Sequence, residues 1–178
     1  MSSLKRTGKV ALCGVIAALA TVVMLLSYFP YLTYAVPAVA GLLFVILAIE
    51  AGKKWAFASY LAACVLVFLM AEQEAKLMFI AFFGYYPILK GLIESLRKKA
   101  LEYVLKFLLF NVVMVGIYAV IVFVFGMPLN QMGDFGKWTV VVLLAMGNVA
   151  FLLYDFTITQ LIGLYMQSLH HRIRRLIH

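Results

Sequence analysis

Asp155 stands inside a long apolar run, where a carboxylate costs about 3 kcal/mol even on a lenient insertion scale and so needs a reason. Asn148 lies seven residues before it and Thr159 four after, so the three share one helical face. A polar stripe on an otherwise apolar helix must face protein or a water-filled cavity. Two readings are open. The stripe could hold a ligand or a coupling ion, or it could be interhelical glue, with Asp155 paired to Lys90 at a comparable depth on another helix. A second group of candidates is aromatic. Phe79, Phe82 or Phe83, and Tyr86 follow helical spacing, with Tyr85 beside them. Pro87 removes a backbone donor and frees the carbonyl of Phe83, and a kink with a free carbonyl can build a binding site, or simply pack. Tyr31 and Tyr34 either cover a cavity or belong to an interfacial belt. Asn111 and Tyr118, seven apart, share a further face. Glu72 and Glu74 could steer a cationic solute, or be what charge asymmetry leaves on one side.

Known catalytic patterns are absent from the chain. It has no Gly-rich Lys-Ser/Thr phosphate loop, so it does not hydrolyse ATP by that route, and no His-Glu-x-x-His, Gly-x-Ser-x-Gly or Cys-x-x-Cys. Its three histidines all fall in the C-terminal end. Cys13 and Cys64 sit singly in apolar runs and read as small core residues. These features predict no enzyme, no cofactor and no metal.

Such residues have to be positioned by membrane helices. The 178 residues are 66% hydrophobic and 12% charged, with a mean hydropathy of +1.07. A soluble domain is roughly 45–50% apolar and 25% charged, so the bilayer is the expected solvent. The +8 net charge is read as topology rather than as a nucleic-acid surface. Six apolar runs predict an all-α bundle of six transmembrane helices in a single domain, over approximately 10–29, 36–50, 55–71, 77–93, 104–125 and 138–162, with a basic cytoplasmic tail at 168–178. The first run is too long for a signal-peptide core and is expected to stay as a span.

Basic residues sort between alternate loops. Of the 15 Lys and Arg, all but Lys76 and Lys137 fall in one set of connections and the termini, Lys106 being counted with the connection from Glu94. The positive-inside rule then places both termini in the cytoplasm. Trp138 suits the outer headgroup boundary and Trp55 the inner one. The connection from Glu94 to Lys106 and the tail from His170 could touch anionic lipid or a partner, or merely fix topology. On the first helix Gly14 and Ala18, four apart and beside Ala17 and Thr21, would let another helix approach closely.

Taken together, the small-residue first helix (Gly14, Ala18), the Pro- and Tyr-rich first outer loop running into Val36-Pro37-Ala38-Val39-Ala40-Gly41, and the turn Glu50-x-Gly52-x-Lys54-Trp55-Ala56 resemble the substrate-binding S component of energy-coupling factor (ECF) transporters. The resemblance covers most of the chain through loose motifs, and glycine stands at one position of a small-residue motif usually built from alanines. It implies a multi-pass subunit of the bacterial cytoplasmic membrane that takes a vitamin or micronutrient from outside, docks on a coupling membrane subunit driven by two ATPases, and releases the solute inward. Tyr31, Tyr34, Phe82, Tyr86, Asn111, Tyr118 and Asn148 would then be the substrate-binding candidates, and Gly14 and Ala18 the docking face. Asp155, about 25 Å along its helix from Trp138, lies deep for such a cavity and would be structural, as would Lys90. The alternative is a non-transporting scaffold like the bacterial D-type rod-shape determinant, which has a similar size and helix count. A transporter subunit predicts a polar, ligand-sized cavity; a scaffold predicts a packed core.

Overall fold

A computed structural model describes residues 6–29, 31–96, 98–124 and 139–169. Pro30, Arg97, Trp138, Lys137, the 126–137 connection, the C-terminal histidines and the tail arginines lie outside the described residues. So does the side chain of Tyr118, although its backbone is helical. Every regular element described is helical: α1 (Arg6–Leu25), α2 (Ala35–Glu50), α3 (Lys53–Met70), α4 (Gln73–Met78), α5 (Tyr86–Ile93), α6 (Lys99–Val124) and α7 (Thr139–Leu164). The helices are a consequence of the sequence. Long apolar runs with no water available must close their backbone hydrogen bonds internally, and a helix does so within one segment.

Five stretches are long and apolar enough to cross a bilayer: Arg6–Tyr28, Lys53–Met70, Gln73–Leu96, Lys99–Ile117 and Leu144–Gln167. Among the described residues the fold is all-helical, and the length and apolarity of these helices mark a membrane protein. α2 is shorter, at 16 residues. The fourth apolar run is one continuous span with an irregularity. α4 widens into a π turn over Phe79–Phe83, where Gly84 N–H donates to the Phe79 carbonyl at 2.9 Å, and α5 resumes at Tyr86. The disturbance expected at Pro87 is therefore taken up in the turn before it, as one extra residue per turn rather than as an open break.

The helices fall into two compact units. The first holds the described residues up to Leu92 together with those from Thr157; the second holds those from Ile93 to Phe156. In the first unit α1 packs on α2 and α3, and α2 packs on α3 and on the π turn. Small residues make these approaches: Ala17, Ala20, Ala40, Ala56, Ala63 and Ala75 are all buried. The 26–34 loop meets the start of α4 at one end. Tyr28 hydroxyl donates to the Met70 carbonyl at 3.0 Å, and Glu72 N–H donates to Ser27 Oγ at 3.4 Å. At the other end Lys53 Nζ donates to the Gly91 carbonyl at 2.8 Å, and Tyr165 hydroxyl donates to Glu50 at 2.7 Å. Successive helices of this unit thus run in alternating directions.

In the second unit α6 lies antiparallel to the first part of α7. Lys106 meets Asp155, and Asn111 meets Asn148. Phe110 stacks on Phe151 with ring centroids 4.7 Å apart, and Gly147 gives Phe110 room: a Cβ there would lie 3.3 Å from its ring.

Candidate functional site

Of the aromatic candidates of the fourth run, Phe79 belongs to the core cluster of the first unit and Tyr85 packs against it. Phe79, Phe82 and Tyr86 are completely buried. Phe82 stacks on Tyr86 at 4.8 Å between centroids, and Phe79 meets Phe44 and Tyr60, each at 6.1 Å. Tyr60 also meets Phe44 edge-on and Tyr85. These offset and edge-on geometries suit the ring quadrupoles. Tyr60 does more than pack. Its hydroxyl donates to the Ile80 carbonyl at 2.6 Å, within the π turn. Its ring lies against Gly84, where an added Cβ would stand 2.5 Å from Tyr60 Cε2. Gly84 is glycine because another side chain occupies the place of its Cβ. Phe82 and Tyr86, candidates for lining a solute cavity, are therefore packed against other rings.

The first loop presents its aromatics differently. Tyr31 is 98% exposed and has a left-handed φ of 72°. Tyr34 is also exposed at its ring, and its hydroxyl donates to Glu74 Oε2 at 3.1 Å. Partial burial raises the Tyr34 phenol pKa above its ordinary value, and the nearby carboxylates of Glu74 and Glu72 raise it further. Glu72 caps α4 by accepting from Ala75 N–H at 2.9 Å. Lys76 Nζ donates to the Phe68 carbonyl at 3.2 Å and stands over the Phe68 ring. Glu72 and Glu74 are thus engaged in fastening this end of the unit together.

The second unit holds the polar residues in two rungs between α6 and α7. In the first, Lys106 Nζ lies 2.7 Å from Glu94 Oε1 and 3.1 Å from Asp155 Oδ2. The lysine and Asp155 are both largely shielded from solvent, with side chains 6% and 14% exposed. In the second, Asn111 and Asn148 exchange two amide hydrogen bonds, both 3.0 Å. Each spare amide proton goes to its own helix, from Asn111 to the Phe107 carbonyl and from Asn148 to the Leu144 carbonyl, both at 2.8 Å. All four amide N–H groups are committed. Between the rungs sit Phe107, Phe110 and Phe151.

One sequence reading needs correction. Lys106 is not a loop residue: α6 already begins at Lys99, and the lysine lies about 10 Å into the helix. Asp155 is met by Lys106 of α6, a partner that the sequence reading did not consider; Lys90 is almost fully buried on α5. The face shared by Asn148 and Asp155 is real, since both meet α6, whereas Thr159 is exposed. Sequence reasoning missed Lys106, Tyr60 and Gly84. The opposite charges of Lys106 and Asp155 in successive apolar runs, at the same antiparallel register as the two asparagines, carried the signal for the first.

On α1 the small residues divide. Ala17, Ala20 and Thr21 are buried, while Gly14 and Ala18 are exposed, and a Cβ added at Gly14 would meet no atom within 4 Å. Among the described residues no group of three His, Cys, Asp or Glu side chains is placed to hold a metal ion. No family model, curated protein or solved structure matches this chain.

Proposed function

We propose that this protein is a non-catalytic membrane subunit that acts by docking: the solute-binding component of a vitamin or micronutrient importer of the ECF kind, whose energy comes from two partner ATPases through a coupling membrane subunit. The exposure of Gly14 and Ala18 supports this reading most directly. A helix face without bulk, turned away from its own bundle, admits a second helix at close range. In this reading both termini are cytoplasmic in a bacterial inner membrane. The exposed Tyr31 and Tyr34 stand at the outer end, where an arriving solute would meet them first.

The test is purification of the full chain from its native membrane in gentle detergent. A coupling subunit with two ATPases is the expected company. Gly14→Leu with Ala18→Leu would displace it without unfolding the chain. The scaffold reading has its own support: Phe82 and Tyr86 are packed in a core, and Asn111 and Asn148 satisfy each other. Recovery of cell-wall synthesis enzymes in place of ATPases would establish that alternative.

A further inference from the structure

The end of the first unit where α1 and α3 begin carries positive charge that neither docking nor solute binding uses. Arg6, Lys53 and Lys54 are exposed and Lys9 is half-buried. The two helices start side by side, since Ser59 Oγ donates to the Cys13 carbonyl at 2.8 Å and Cys13 Sγ lies 3.5 Å from the Trp55 carbonyl. Lys9, one turn before Cys13, therefore comes level with the start of α3. No acidic residue stands in the first turn of either helix. The cations accordingly face the positive ends of two helix dipoles, which is unfavourable without a compensating anion. Glu50, at the end of α2, accepts the Tyr165 hydroxyl, and Lys53 donates to the Gly91 carbonyl.

Beyond each cation, one face of its helix is apolar and uncovered. Lys54 heads the column Phe57, Leu61, Val65, Phe68 on α3, and Arg6 heads Val10, Gly14, Ala18, Val22 on α1, all exposed at spacings of three or four. Each apolar strip is roughly 16–18 Å long at 1.5 Å per residue, close to the depth of one leaflet of about 15 Å. A cation set above an exposed apolar strip of that length matches a phosphate set above its acyl chains.

We infer that this end of the protein binds anionic phospholipid, the headgroup phosphate held by Arg6, Lys9 and Lys54 and the chains lying along the exposed strip of α3, since the α1 strip contains the Gly14 and Ala18 face proposed for docking. The inference does not depend on transport or on any protein partner. To test it, the full chain is placed in bilayer discs of equal phosphatidylcholine and phosphatidylglycerol, and the lipids it retains are counted by native mass spectrometry. Phosphatidylglycerol should be enriched by at least fivefold, the ratio equivalent to about 1 kcal/mol, which is the usual effect of one basic residue at a membrane surface. The combined variant Arg6→Gln, Lys9→Gln, Lys54→Gln should bring the ratio close to one. Neutralising Arg172, Arg174 and Arg175 in the tail should leave most of it. If the combined variant fails to fold, Lys54→Glu alone should lower the ratio about fivefold. The inference is overturned if the wild type shows no preference, if the combined variant or, in its place, Lys54→Glu keeps it, or if only the tail variant loses it. It is equally overturned if inorganic phosphate at constant ionic strength displaces the lipid, which would mark a site for free anions, or if enrichment appears only when an acidic protein co-purifies.

Discussion

In the first compact unit the helices are fastened ring against ring, with Phe44, Tyr60 and Phe79 filling the space between α2, α3 and the π turn and Phe82 stacked on Tyr86 along the fourth span. In the second, α6 and α7 are fastened by charge and amide, through Lys106 with two carboxylates and through Asn111 with Asn148. Lipid tails are as apolar as leucine, so burying leucine between helices gains little, and shape and polar bonding are what remain. The two units use one each. A ring cluster tolerates the loss of a hydrogen bond but not of volume, whereas a polar rung tolerates a change of volume but not the loss of a partner.

The largest effect that separates them is expected at Lys106. Lys106→Met leaves Glu94 and Asp155 without this cation and should destabilise the chain by about 3 kcal/mol, the lower end for a broken buried pair because Glu94 is more than a third exposed. Unfolding in mixed micelles measures this, and adding Asp155→Asn to the variant should restore part of the loss. A ring cluster offers no such recovery by removing charge.

Next in size is Gly84→Ala, a change of one methyl. With the added carbon within 3 Å of the Tyr60 ring, overpacking should cost about 1–3 kcal/mol. Tyr60→Leu should relieve most of that cost in the double variant, and an additive result would show that the ring does not restrain Gly84. Smaller still is the amide rung. A double-mutant cycle of Asn111→Ala and Asn148→Ala should give a coupling of about 0.6–1.7 kcal/mol, typical of hydrogen bonds between membrane helices. Zero coupling would remove the second rung from the comparison.

The smallest effect lies at the loop end of the first unit. The phenol of Tyr34 has its pKa raised in the folded chain by burial and by Glu74 and Glu72. The folded state therefore favours the neutral form. The stabilisation is fully present below the unfolded value of about 10 and is lost as pH rises through the higher folded value. Glu74→Gln should lower the Tyr34 pKa. Tyrosinate absorbance, taken as the difference between the chain and its Tyr34→Phe variant, tracks the titration.

Much of the fold was legible from the apolar runs, because a segment in lipid must be helical and its length is set by the bilayer. The fifth apolar run coincides with most of α6, and the third matches α3 to within a few residues. The start of α6 was misjudged because Lys98, Lys99 and Lys106 look alike in sequence. Only a partner across the helix pair distinguishes a lysine held in the interior from two at the surface. The shared face of Asn148 and Asp155 was readable from helical periodicity, since seven residues make almost two turns. That Asn148 is satisfied by Asn111 was not, since periodicity says which way a side chain points and nothing about what stands opposite.

The sequence by itself therefore determined that this is a helical membrane protein, where its apolar helices run and which helix faces are polar. Those properties come from local composition and from a solvent that cannot hydrogen-bond the backbone. Only the tertiary structure decided that the Asp155 carboxylate is met by Lys106, that the two asparagines satisfy each other, and that Phe82 and Tyr86 are core. These depend on the register between helices, which is set by the mutual fit of residues far apart in the chain, Gly84 under Tyr60 and Gly147 under Phe110 among them.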